Sequence, residues 1–505
     1  METELTTTLA LEEKGKLIKS LRRFDMVLFT VCAFVGLDTL GVVASNGPQG
    51  FVWLVGLGIL FVFPYALLMA EAGSSFTEEG GPYEWMKLAW GRLTAGIGAA
   101  FYWVSNPLWV GGSLAFLSTE AWRANISGIG NGTWGDYVFK LAFIWFSIGV
   151  AIASLRYGKW IPNFGAFLRF FTLGFFSITV VIYGAEHGFH GFSAHSAAPT
   201  RGVFIALVPI LLFNYVGFEL QNGAAEEMND PSRDVPVSVF QAATIGMISY
   251  IIPVLGILLV LPLDKVTGIG GFIDAVTQVF SVYGGAAHFL LILMTLGFIG
   301  SLLTSGAVWM IGSDRVQAVA AYDGAFWGWF GVFNRKLGTP LRVNVMSGVV
   351  ATVFCVIALA FFNNGADSTF GVVLDIGLST TIISYILIFP AILKLRYTHP
   401  HVHRPYRFPF GMPGIWIGTM VAWFFILLGS WVAVFPGTVE SLIGVNYGAF
   451  VDTWGVSRLK FEAYALGTLG AIVLFALVGY WLGADVRQKS AVIELPTDLD
   501  GAVTT

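Results

Sequence analysis

The sequence predicts an all-α polytopic membrane protein with twelve transmembrane helices, and three observations carry that prediction. Only 11% of the 505 residues are charged, under half of the ~25% usual in soluble domains. Residues of the apolar set make up 56% of the chain and its mean hydropathy is +0.75, so a water-facing surface cannot be built from it. Apolar stretches of about 20 residues recur along the chain, the length one helix needs to cross a ~30 Å hydrocarbon core.

Turn residues and charges punctuate these stretches. The first six spans read as 25–46, 51–72, 84–117, 137–155, 162–184 and 202–221. The other six read as 237–262, 286–313, 341–362, 370–393, 414–436 and 461–483. Positive charge favours cytoplasmic loops. With both ends of the chain in the cytoplasm, twenty of the 27 Lys and Arg residues fall inside, Lys16, Lys19, Arg156 and Lys159 among them, and six fall outside. Arg169 is the remaining one, within span five. The asymmetry supports an even number of spans, an integral protein of the plasma (inner) membrane, and cytoplasmic termini.

Other features narrow the class. The net charge of −4 gives no reason to expect nucleic acid. Cys32 and Cys355 both lie in apolar runs, which excludes a disulfide framework. Acids at Glu2, Glu4, Glu12 and Glu13, with no short apolar core and cleavage site, argue against a removable signal peptide. The tails, 1–20 and 485–505, are polar and without apolar period and read as flexible. Asn125 and Asn131 match the glycosylation acceptor pattern in one outside loop, a chance match unless the source is eukaryotic.

Breaks in membrane helices carry more information, because non-helical backbone at that depth is tolerated only where protein buries it or a cavity hydrates it. Span one contains Phe34-Val35-Gly36-Leu37-Asp38-Thr39-Leu40-Gly41, an acid between glycines halfway through an apolar helix. Span six contains Asn214-Tyr215-Val216-Gly217-Phe218-Glu219. The two spans run in opposite directions. Matching breaks in opposed helices predict a five-plus-five inverted-repeat core with discontinuous helices 1 and 6 and a substrate site between them. The organisation is then a tail (1–20), a first repeat (21–200, helices 1–5), a second repeat (201–395, helices 6–10), helices 11 and 12 (396–484) and a tail (485–505). Glycine is common in membrane helices and often marks close packing. A carboxylate at mid-span costs several kcal/mol and is expected to face a wet cavity or a partner.

Span six continues as GFELQNGAAEEMNDPSRDVP (Gly217–Pro236), which closely resembles the signature of the amino acid, polyamine and organocation transporter superfamily, amino acid permease type. Asp25 after a basic segment, GGPY (80–83), NRKLGTP (334–340) and RPYRFPFG (404–411) agree in order. The resemblance implies the ten-helix inverted-repeat core with two peripheral helices, and secondary transport of amino acids or related amines.

In many members the break in helix one is a Gly-Ser-Gly-type run whose amides bind a substrate carboxylate. Here Gly36 and Gly41 remain but Asp38, followed by Thr39, occupies the run, and an anion there repels a carboxylate in a low-dielectric site. The substrate is therefore expected to present positive charge, as an amine or cationic side chain. Alternatively Asp38 carries a proton during transport, or caps the outer half of helix one. The resemblance sets Glu219 against the substrate amine; if both acids line one cavity, a diamine, polyamine or cationic amino acid is favoured. Phe213, Tyr215, Phe218 and Trp309 are candidates for gates or cation–π contacts, or pack against helices and lipid. Arg169 resembles in position a lysine that replaces sodium in some proton-coupled relatives; the alternative is snorkelling to the interface. Ser301, Thr304 and Ser305 are the hydroxyls of a competing sodium site, unless they bond their own helix. Asp375 lies within about 10 Å of the outer face at 1.5 Å rise per residue, as part of an outer gate or simply wetted.

His399, His401 and His403 alternate in a loop with no Cys nearby, a poor zinc pattern. No P-loop, HExxH or GxSxG is present, which argues against an ATP-driven pump, a zinc protease and a lipase-type hydrolase. The expectation is a cofactor-free secondary transporter, not an enzyme, working in the lipid bilayer on an amino acid, amine or polyamine. Coupling to protons or exchange is preferred; a sodium-coupled symporter and a substrate-sensing receptor without transport are the alternatives.

Overall fold

The structure is a computed structural model and describes residues 3–14, 21–154, 160–193, 195–268, 270–361 and 366–494. Lys16, Lys19, Arg156 and Lys159, which help set the orientation, lie outside the described residues, as do 1–2, 15–20 and 495–505 of the two tails. Ten helical segments among the described residues are long and apolar enough to cross a membrane. They include Gly47–Ser75, Pro231–Val260 and Gly411–Val434, and they make an all-helical membrane bundle. Prolines 209, 236, 253 and 390 lie inside its helices, which neighbouring helices tolerate by satisfying the freed backbone groups.

Spans one and three of the sequence reading are interrupted and are not among these ten. Span one is a helix over Arg23–Phe34, an extended turn, and a second short helix over Leu40–Ser45. Span three differs from its sequence reading of 84–117: Gly91 at φ 83° ends one helix, Gly81–Trp90, and a new one starts at Arg92. That positive φ is open to glycine and disfavoured for other residues. Span eight also runs further than read, to Tyr322. Its polar end is buried because its charges have partners: Asp314 accepts from Trp103 Nε1 at 3.0 Å and Ser347 Oγ at 2.7 Å.

The tails are ordered where described, against the expectation of flexibility. Thr3–Thr7 pairs antiparallel with Ser490–Glu494, so these two segments meet at one end of the bundle, called here the termini end. Threonine-rich TELTT and the β-branched Val492 and Ile493 at the paired positions suit strands.

The landmark motifs seal this termini end. Leu21, entering span one, donates to Glu227 O at 3.0 Å and accepts from Asn229 N at 3.0 Å. Arg315, fully buried, binds Glu79 at 2.5 Å, Glu227 at 2.7 Å and Gly338 O at 3.0 Å. Asp234 holds Arg23 at 2.6 Å, and Glu71 accepts from Arg396 and from Phe408 N at 2.6 Å. Glu79 and Tyr83 flank and end GGPY, Glu227 belongs to AEE, Gly338 to NRKLGTP and Phe408 to RPYRFPFG. Paired charges and hydrogen bonds at all four motifs thus bind the termini end together.

Candidate functional site

The break in span one leaves the last carbonyls of its first helix without intrahelical donors. Side chains from three other spans supply them. Trp309 Nε1 donates to Ala33 O at 2.9 Å, Tyr250 Oη donates to Phe34 O at 2.7 Å, and Arg169 Nε donates to Val35 O at 2.9 Å. Tyr250 Oη also accepts the amide of Gly36 at 2.8 Å. The unwound turn is thereby fixed.

Asp38 projects from that turn and is buried. Its Oδ2 accepts from Trp109 Nε1 at 2.7 Å and Ser113 Oγ at 3.0 Å, both from span three. Its Oδ1 has no partner. The second half of span one is capped at Thr39, whose side chain makes no cap bond, so the reading of Asp38 as a helix cap is set aside. Asp38, Gly36, Asn214, Phe213, Trp109 and Trp309 line one narrow cavity between the two breaks. Both polar atoms of Asn214 are also unpartnered. About 10 Å³ is open there, room for roughly one water, so a substrate enters only when the aromatic walls shift.

The second break is built differently. Gly217 adopts φ 125°, a conformation favouring glycine, and a Cβ there would come within 2.9 Å of the Trp309 ring. The amides of Gly217 and Phe218 donate to Tyr65 Oη at 2.9 and 3.2 Å. Tyr65 in turn donates to Glu219, as do Tyr102 at 2.8 Å and Tyr385 at 2.6 Å. Glu219 is fully buried inside this tyrosine cage and does not line the Asp38 cavity. The two acids expected in one cavity are thus apart. Trp309 separates them, its ring centroid 6.3 Å from Tyr102 and 6.4 Å from Trp109.

Other sequence candidates fall outside the cavity. Tyr215 donates its hydroxyl to Leu54 O and anchors span six on span two. Phe218 stacks on Phe34 at 4.6 Å. Gly41 packs against the loop at Thr267 and Gly268, where a Cβ would meet Gly268 O at 2.7 Å. Thr39 is buried with an unpartnered hydroxyl.

Arg169 does not snorkel to the interface. It is fully buried and donates to Gly165 O at 2.7 Å, Ser301 O at 2.9 Å, Thr304 Oγ1 at 3.2 Å and Ser305 Oγ at 2.6 Å, besides Val35 O. Ser301 Oγ itself bonds its own helix at Gly297 O, 2.8 Å away. The guanidinium therefore fills the space between the break and span eight. Arg169→Ala leaves Val35 O in the break without its donor, at ~1–3 kcal/mol, and opens a void between spans one, five and eight, so a loss of at least ~2 kcal/mol is expected. A thermal melt in detergent checks this, and a midpoint equal to wild type contradicts it.

Sequence reasoning missed Tyr250, Trp109, Ser113 and the three tyrosines around Glu219. Their only signal was a polar atom on an aromatic ring or a hydroxyl within an apolar span.

Residues 21–451 match the protein family described as Amino acid permease. The chain is similar to the probable agmatine/putrescine antiporter AguD of Lactococcus lactis, 26% identical over 397 residues, covering 78% of this chain and 83% of that one. It is also similar to the branched-chain amino acid permease BcaP of Bacillus subtilis, 24% identical over 457 residues, covering 85% and 92%.

Proposed function

Since the chain belongs to the amino acid permease family of membrane transporters, we propose that it carries a cationic amine of the agmatine or putrescine kind by alternating access, with Asp38 accepting the ammonium group. The observation that carries this reading is the bare Oδ1 of Asp38 in a cavity between two helix breaks. An unpaired buried carboxylate oxygen is costly, and an ammonium donor offsets that cost. Asn214 supplies both a donor and an acceptor to the same ligand. Trp109 and Trp309 offer ring faces to its charge.

The reading includes twelve spans, the five-plus-five repeat divided at 200 and 395, and a cytoplasmic termini end within the plasma membrane. Coupling is by protons or by exchange of one amine for another. Arg169 supports this choice, because the oxygens a sodium ion needs on spans one and eight already receive its five-donor fork. Proteoliposomes test it. Labelled putrescine is expected to enter against unlabelled agmatine, or under an imposed pH gradient, with sodium absent. A strict sodium requirement contradicts the coupling. Uptake of branched-chain amino acids but not amines contradicts the substrate class, and amine binding without any uptake identifies a receptor instead.

A further inference from the structure

At the far end of the bundle lies a second cavity, of about 380 Å³. It is walled by the outer half of span one, the first half of span six, the start of span ten and the segment after span eleven, with Asn46, Tyr447 and Trp454 among its lining. Two carboxylates face it from elements distant in sequence. Asp375, 7% exposed, comes from Ala366–Thr398, and Glu440, 2% exposed, from the short helix Thr438–Leu442. Asp375 Oδ2 and Glu440 Oε2 have no hydrogen-bond partner. Their fields converge: burial first, and then Glu440 and Asp375, push the Tyr447 hydroxyl up to about 12 although Trp454 donates to it. The guanidinium of Arg458 also reaches Tyr447 and opposes this shift, and its ion-pair partner is another acid. Arg458 pairs with Glu462 at 3.6 Å and lies 5.0 Å over the Phe450 ring.

Two buried, unsatisfied carboxylates in an apolar chamber call for a cation that brings its own hydrogen-bond donors and apolar surface. Among the described residues no three His, Cys, Asp or Glu side chains gather as a metal site, and the chamber is far larger than a bare ion. Tyr447 and Trp454 add ring faces for a positive charge. An alkylammonium ion meets all of these terms. We propose that this chamber is a second binding site for an organic ammonium ion, with Asp375 and Glu440 as its acceptors. An amine arriving at the far end is held here while the deeper cavity, with room for one water, is closed. The choice of amine rests on the transport reading above; the two unpaired acids do not.

The test is equilibrium binding of labelled putrescine to the purified full-length chain, wild type against D38N and D375N/E440Q, with 1,4-butanediol as the uncharged competitor. Wild type is expected to bind two putrescines per chain, each variant one, and butanediol to displace neither. Loss in D375N/E440Q with no change in D38N supports the outer site and sinks the deep one. Unchanged stoichiometry in D375N/E440Q overturns the outer site whatever D38N does. Carbodiimide labelling of the wild-type chain, read by mass spectrometry, needs no variant to fold. N,N,N′,N′-Tetramethylputrescine, which carries both charges but forms no amide with the activated acid, is expected to slow modification of Asp375 and Glu440 several-fold, and labelling it leaves unchanged overturns the proposal.

Discussion

Asp38→Asn is expected to lower amine uptake at least ~30-fold while leaving the protein folded. Removing one partner of a buried, hydrogen-bonded charge pair costs about 2–5 kcal/mol, and each ~1.4 kcal/mol is a factor of ten. Asn keeps an oxygen for Trp109 and Ser113, whose bonds of 2.7 and 3.0 Å hold the side chain in place. It loses the charge that faces the cavity, so the effect falls on the ligand. Uptake is measured in proteoliposomes beside a thermal melt of the empty protein. Full uptake in the Asn variant removes Asp38 from the mechanism. Lost uptake with a collapsed melting temperature makes it a structural residue only.

Glu219→Gln is expected to act by another route. Three tyrosine hydroxyls donate to this carboxylate, and Tyr65 joins it to the amides of the second break. A carboxylate accepts all three, whereas an amide turns two N–H donors toward one of them. Hydrogen bonds to a charged group are worth about 1.5–3 kcal/mol, so loosening one lowers the precision of the break and turnover by ~10-fold or more. Agmatine affinity is expected to stay within about threefold of wild type, because Glu219 is outside the Asp38 cavity. A variant that turns over normally but no longer binds agmatine shows that Glu219 touches the amine after all.

Much of the fold was legible because the membrane leaves few choices. A polar residue and a glycine at mid-span have few uses in lipid, and the breaks at Gly36 and Gly217 follow from that rule alone. Interruption at Gly91 had a local signal, a glycine directly after Trp90 and close behind Lys87, but an apolar run on both sides concealed it. The polar end of span eight was read as the end of the helix, since a sequence does not show that Asp314 and Arg315 each have buried partners. What holds the breaks was hidden for a related reason. Tyr65, Tyr102, Tyr385 and Tyr250 come from four different spans, and aromatic residues make up 15% of the chain. Nothing in their spacing marks these four as hydrogen-bond donors to a distant turn. The landmark motifs are plain in the sequence, yet their physical role, binding the termini end together through Glu227, Glu79 and Arg315, shows only in the packing.

Arg169 links the first break to two other spans. Five donors on one buried guanidinium meet carbonyls and hydroxyls from spans one, five and eight. The same charge lies near the break that holds Asp38, which ties the geometry of the turn to the packing of span eight. An alternating movement of span eight then moves the cavity wall at Trp309 and the anchor of the turn together.

The most direct measurement is a structure determined with agmatine bound. Bound agmatine is expected with a cationic nitrogen about 3 Å from Asp38 Oδ1, the ordinary length of a charge-assisted hydrogen bond, and with its chain between Trp109 and Trp309. Agmatine seated among Tyr65, Tyr102 and Tyr385 at Glu219, with Asp38 Oδ1 still bare, contradicts the assignment of the site.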